Sequence, residues 1–173
     1  VPKGHIGVYL REYKPDHSVD EDAVILSGLG ILGWGIGMEN SFLGCLTLLE
    51  KKLGSSLSYS DLAGLSAYGF RIHFFEGFCP SSPDATVGKD VGSLLMDRLG
   101  YQIRYIYLES GMELEDEYGQ MSQQEMLTEI LNSIDRGFPV IALDILGVPE
   151  WGLITGYQSA GKELFCRSYF DKT

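Results

Sequence analysis

Glu39 to Gly54 reads Glu-Asn-Ser-Phe-Leu-Gly-Cys-Leu-Thr-Leu-Leu-Glu-Lys-Lys-Leu-Gly. Phe42, Leu43, Cys45, Leu46, Leu48, Leu49 and Leu53 recur at helical spacing and make a wide apolar stripe. Asn40 or Ser41 is placed to cap the first turn, and Gly54 fits the stop. The spacing therefore predicts a largely buried helix from about Ser41 to Leu53. A glycine-rich run, Gly28 to Gly37, leads into it, with five glycines around Trp34. These glycines follow neither GxxxxGK[ST] nor GxGxxG spacing, so the run is not a phosphate cradle. It is a loop whose backbone passes close to something, either a neighbouring element or a ligand in a cleft. The N–H groups and positive dipole end at such a helix start suit a nucleophile or an anion. The same pattern fits a capped core helix behind a flexible loop.

Composition narrows the class. A chain of 173 residues with 45% hydrophobic content is long enough for one domain with its own core. The expectation is a single domain over residues 1–173, with residues 1–22 as an N-terminal extension. The chain begins at Val1 rather than Met, so it also reads as a fragment of a longer one. A formal net charge of −11 disfavours nucleic acid and anionic membranes as partners. Cys45, Cys79 and Cys166 are few and far apart, with no CxxC pair or Cys/His cluster, so no metal and no cofactor is expected. No signal peptide or membrane-length apolar run is seen, which makes the cytoplasm the expected compartment. Oligomeric state is not legible.

The remaining elements follow in order. His5 to Tyr13 alternates loosely, as an edge strand does, and Lys14 to Asp22 reads as a loop. Ala23 to Leu26 is a short strand. Ser58-Tyr-Ser-Asp61 caps a short helix to about Leu65. Phe70 to Phe75 reads as a strand with Arg71 and His73 on one face, which suits an anionic group or a solvated surface. Phe78 to Asp84, with Cys79, is a loop. Asp90 caps a helix with Val91, Leu94, Leu95 and Leu99 on one face and Gly100 as its stop. Tyr101 to Leu108 is a strand rich in β-branched and aromatic residues. Glu109 to Glu117 carries five acidic residues without calcium-loop spacing. Ser122-Gln-Gln-Glu125 is a capping box for a helix that turns Met126, Leu127, Ile130, Leu131 and Ile134 inward and closes at Gly137. Phe138 to Ile145 is nearly all apolar and belongs in the middle of a sheet. Trp151 to Tyr157 and Lys162 to Phe170 form a hairpin across Ser159–Gly161. Helices in the first half and an antiparallel sheet in the second make an α+β pattern. The Ser41 helix is expected to be the most buried one and to pack on the last three strands.

The Glu39–Gly54 stretch resembles the papain-like peptidases that process double-glycine leader peptides, in which the nucleophilic cysteine opens a buried helix that ends in Gly. Gly54 lies 13 residues after Ser41, which puts Ser41 in the cysteine's place. The chain is similar, closer still, to the N-terminal domain family of butirosin biosynthesis protein H. There a Gly-rich segment follows the helix, here Leu62-Ala-Gly-Leu-Ser-Ala-Tyr-Gly-Phe70. The resemblance spans about Val24 to Asp171. It implies a papain-like α+β fold, with helices packed on an antiparallel sheet.

It also implies a site, and departures from it. The family's histidine lies six residues before the glycine of a Gly-Tyr strand end. With Gly156-Tyr157 as that end, Glu150 takes its place, and Asp171 corresponds to the acidic residue that orients the histidine. No glutamine precedes Ser41; Gly35, Glu39 and Asn40 stand nearby. A serine hydroxyl needs a base to take its proton, and an ordinary carboxylate is far too weak for that task. Peptidase chemistry is therefore not carried over. Two functions remain open. One is a binding or sensing module that uses Ser41, Glu150 and Trp151, with Trp34, Glu39, Asn40, Arg71 and His73 nearby, to hold a small molecule or peptide. The other is an acyl or aminoacyl transferase acting through Ser41, with Glu150 or His73 as base and an acyl carrier protein as partner. A structural domain of a larger protein is a third.

Overall fold

The computed structural model describes residues 6–9, 17–20, 22–71, 91–108, 119–148 and 150–171. His73, the loop with Cys79, the Asp90 cap, the acidic run 109–117 and Pro149 lie outside them. Among the described residues eight strands form one sheet: β1 (Ile6–Tyr9), β2 (His17–Asp20), β3 (Ala23–Leu26), β4 (Ile103–Leu108), β5 (Gly119–Met121), β6 (Val140–Leu143), β7 (Trp151–Gln158) and β8 (Glu163–Arg167). The described residues also form four α-helices: α1 (Ser41–Lys52), α2 (Tyr59–Leu65), α3 (Val91–Leu99) and α4 (Gln123–Asp135). The class is α+β. Among the described residues no helix is long and apolar enough to cross a membrane.

The sheet runs β2-β3-β7-β6-β1-β4-β5, antiparallel except for the parallel β4–β5 pair. β7 is its axis. Ile154 pairs with Val140 of β6 and with Cys166 of β8, while Gly156 pairs with Ile25 of β3 and Phe165 of β8. A residue has only two sides, so β6 and β3 share one side of β7 and β8 takes the other.

The N-terminal segment corrects two expectations. Residues 6–9, expected at an edge, lie between β6 and β4, and residues 17–20, expected as loop, pair with β3. Residues 1–22 are thus no mere extension, since they supply two strands of the sheet. Their pairing is long-range, and a four-residue strand carries too little pattern to announce it. A third falls at Phe70, expected to begin a strand: Tyr68–Phe70 is a 3-10 turn, and residues 72–75 of that expected strand lie outside the described residues. The turn follows Ala67, held at φ 60°, which breaks the extended path.

The nearly all-apolar β6 is buried on both faces. Alternate residues face opposite sides. Ile141, paired with Leu153, joins a core with Leu43, Leu46 and Leu49 of α1, Leu62 of α2 and Leu95 of α3. Val140, Ala142 and Ile154 join Met126, Ile130 and Ile134 of α4, with Val24, Leu26 and Ile106. The sheet is therefore sandwiched between α1–α3 and α4.

On α1 every residue from Ser41 to Glu50 is buried, and the helix packs on β7 and β6 as its stripe predicts. Gly54 takes φ 79° at its stop. Gly44 is required for a different reason: a Cβ there would overlap the Tyr169 hydroxyl. The capping boxes of α2 and α4 form as read, with Ser58 paired to Asp61 and Ser122 to Glu125.

Because Leu46 and Leu49 are fully buried, Leu46→Ala or Leu49→Ala should each destabilise the fold by about 2–5 kcal/mol in urea denaturation. Losses below about 0.5 kcal/mol at both would place α1 at the periphery instead.

Candidate functional site

The first turn of α1 is buried, so its polar groups must find partners inside the protein. Asn40 caps the helix: its Oδ1 accepts from the Leu43 N–H at 3.0 Å. The Asn40 N–H donates to the Tyr59 hydroxyl at 3.0 Å, which ties the cap to the first residue of α2. The Tyr169 hydroxyl donates to the Met38 carbonyl and lies 3.4 Å from the Asn40 carbonyl. Ser41 is 8% exposed, and its Oγ accepts from the Trp151 N–H at 3.3 Å. The Trp151 ring meets Phe42 edge-on, with centroids 5.3 Å apart. Thus the helix start is held at once by α2, by the opening of β7 and by the turn after β8.

The glycine-rich loop closes over this turn. Trp34 packs against Tyr169 at 5.1 Å and against Phe170 at 5.0 Å, yet stays 46% exposed. Glu39 Oε1 accepts from the Gly35 N–H at 2.8 Å, folding the loop on itself.

Glu150 enters β7 from a tight connection. Its carbonyl accepts from the Asp144 N–H at 3.1 Å, and its N–H donates to the Val148 carbonyl at 2.7 Å. Its carboxylate charge reaches the helix. Burial first, and then that charge, push the Cys45 thiol far up from its usual range. Burial also raises Tyr169, with Cys45, Tyr59, Glu150 and Glu39 adding to it.

Asp171 serves its own turn. Its Oδ1 accepts from the Ser168 N–H at 3.1 Å and the Ser168 hydroxyl at 2.9 Å, and its Oδ2 lies 3.5 Å from Arg167 Nη1. Such a carboxylate orients a histidine by accepting its N–H. It has no such use for a second carboxylate, because two ionised carboxylates repel.

A shallow surface hollow, open to solvent and with enclosed room for about one water, lies beside Trp151. Ile145, Leu146 and Val148 of the β6–β7 connection line it, with Glu150, Trp151, Tyr169 and Phe170. Ser41 does not line it. The serine is buried next to the Trp151 amide, where its hydroxyl acts as a hydrogen-bond acceptor and is not presented to a substrate.

The structure therefore gathers Trp34, Glu39, Asn40, Ser41, Glu150 and Trp151 around one helix start, with Asp171 in the adjoining turn. Arg71 follows the 3-10 turn in extended conformation, and its expected partner His73 lies outside the described residues. Tyr169 and Phe170 were missed from the sequence. Their signal was an aromatic pair directly before Asp171, at the end of a hairpin strand. Compared with protein-family models, curated proteins and solved structures, the chain matches none.

Two outcomes follow from these environments. Tyr169→Phe removes the donor to Met38 and should cost about 1–3 kcal/mol, measured by chemical denaturation. No loss would mean that the hydroxyl does not hold the loop. The second concerns pH. Cys45 and Tyr169 have folded pKa values raised above their ordinary 9.0 and 10.0, so the fold favours their protonated forms. Below pH 9 both folded and unfolded chains keep these protons, and stability is unaffected. Above it the unfolded chain loses them first, and stability falls as pH rises. Urea midpoints should be level from pH 7 to 8 and drop from pH 9 to 10. A midpoint that rises over that interval would contradict this.

Proposed function

We propose that this is a papain-like domain with a degenerate catalytic site, working as a non-peptidase module that binds a small molecule or peptide. The observation that carries the reading is Ser41: it is buried and its Oγ accepts from the Trp151 N–H, while the resemblance puts Glu150 in the histidine's place. A nucleophile must be reachable and must have a base for its proton. Ser41 is not exposed, and among the described residues no strong base faces it. The net charge of −11 points away from nucleic acid and membrane surfaces.

Acyl or aminoacyl transfer is the second reading, and one observation favours it. Ser41 opens α1 and its Oγ accepts from the Trp151 N–H, next to the residue that the resemblance puts in the histidine's place. An acyl carrier protein would then be the partner.

Incubation with acetyl and longer acyl thioesters, followed by intact mass spectrometry, separates the two. The binding reading predicts no adduct, no cleavage of leader peptides and no labelling of Ser41 by thiol-directed peptidase inhibitors. An acyl adduct that disappears in Ser41→Ala would establish transfer instead.

A further inference from the structure

The glycine-rich loop, the β6–β7 connection and the turn after β8 bring apolar side chains to the surface together. Trp34 is 46% exposed, Phe170 47% and Leu146 57%. The Trp34 and Phe170 rings meet edge-on with centroids 5.0 Å apart, and Phe170 and Leu146 wall the same hollow. Large apolar side chains from three segments thus form one patch, and Ile31 and Ile36 stand exposed on the loop that carries Trp34. A single exposed apolar residue is ordinary, whereas a contiguous group of them marks a surface kept for contact.

The loop is shaped to hold Trp34 there. Gly35 and Gly37 sit at φ 76° and 83°, where an ordinary side chain would be strained, and the Gly35 N–H donates to Glu39. The indole rests against Tyr169, which is itself buried. We propose that this patch docks a basic segment of another protein, one that offers an aromatic or large aliphatic side chain flanked by Lys or Arg. The proposal rests on the binding-module reading and gives that module its partner class.

Shape and charge choose the occupant. The hollow within the patch has enclosed room for about one water, so it does not engulf a small molecule, whereas a partner's side chains lie across a flat surface. The three segments carry Glu39, Asp144 and Glu150, and among their described residues the one cation, Arg167, is paired with Asp171. A cationic partner meets complementary charge there. A second copy does not. A two-fold interface puts the same patch on both sides, which brings these carboxylates together between two chains each of net charge −11. An anionic membrane is repelled in the same way.

The test is selection from a random peptide library displayed on phage, with the whole chain as bait, followed by affinity measurements on the recovered peptides. These should share an aromatic or large aliphatic residue next to Lys or Arg, and should bind at least about tenfold more weakly to Trp34→Ser and to Leu146→Ser. Leu146 lies in an exposed turn closed by the Gly147 N–H to the Asp144 carbonyl, so its variant keeps the fold, as circular dichroism checks. Glu39→Gln with Glu150→Gln should also weaken binding by about tenfold and flatten its dependence on salt. Recovered peptides that are acidic or uncharged overturn the basic class, and peptides that bind the Trp34 and Leu146 variants as well as the native chain overturn the location. Either result leaves the binding-module reading in place. Recovery of no peptide overturns the docking assignment and removes peptides from that reading. A native chain that sediments as a dimer, with Trp34→Ser a monomer, assigns the patch to a second copy instead, and binding to phosphatidylcholine vesicles that Trp34→Ser abolishes assigns it to lipid.

Discussion

The structure depends on a buried helix start. An α-helix begins with N–H groups that its own backbone cannot satisfy, and solvent normally provides for them. Here the first turn of α1 lies under the sheet and two turns of chain, so the protein supplies the partners. Asn40 caps from within, Tyr59 accepts from the Asn40 amide, and Tyr169 donates to the carbonyl of Met38. Ser41 reaches across to the Trp151 amide at the opening of β7. Each contact comes from a different element. The helix start is the point at which α2, β7, the turn after β8 and the glycine-rich loop are brought into register.

That constraint shapes the candidate site. Because Ser41 accepts from the Trp151 amide it is withdrawn from the surface, and it does not line the neighbouring hollow. Because the β6–β7 connection is closed by the Asp144–Glu150 hydrogen bond, Glu150 is presented at the same corner. Burial first, and then the Glu150 charge, keep the Cys45 thiol protonated beneath the site.

Much of this was legible in sequence, for reasons that differ by element. α1 could be read because seven apolar residues at helical spacing leave no alternative to burial, and Asn40 and Gly54 mark its ends. β6 could be read because Val140 to Leu143 offers no polar face. The Ser58 and Ser122 capping boxes are local chemistry and formed as written. β1 and β2 were misplaced because strand position is set by partners far along the chain, which four residues cannot encode. Ser41, Glu150 and Trp151 were expected together by resemblance; the contact seen is the Trp151 N–H donating to Ser41 Oγ. Tyr169 was invisible as a site residue because its role depends on Gly44, the one position on α1 where the backbone leaves room for its hydroxyl. Asp171 was legible as a position but not as a contact, since its hydrogen bonds run to Ser168, three residues back.

The central claim is that Ser41 is a structural acceptor holding α1 to β7. Amide hydrogen exchange at Trp151 tests it most directly. Comparing the native protein with Ser41→Ala, the account predicts that the Trp151 amide is protected in the former and exchanges about tenfold faster in the latter, with distant β6 amides changed far less. Equal Trp151 exchange in both proteins would contradict the account and leave the Ser41 hydroxyl free for another role.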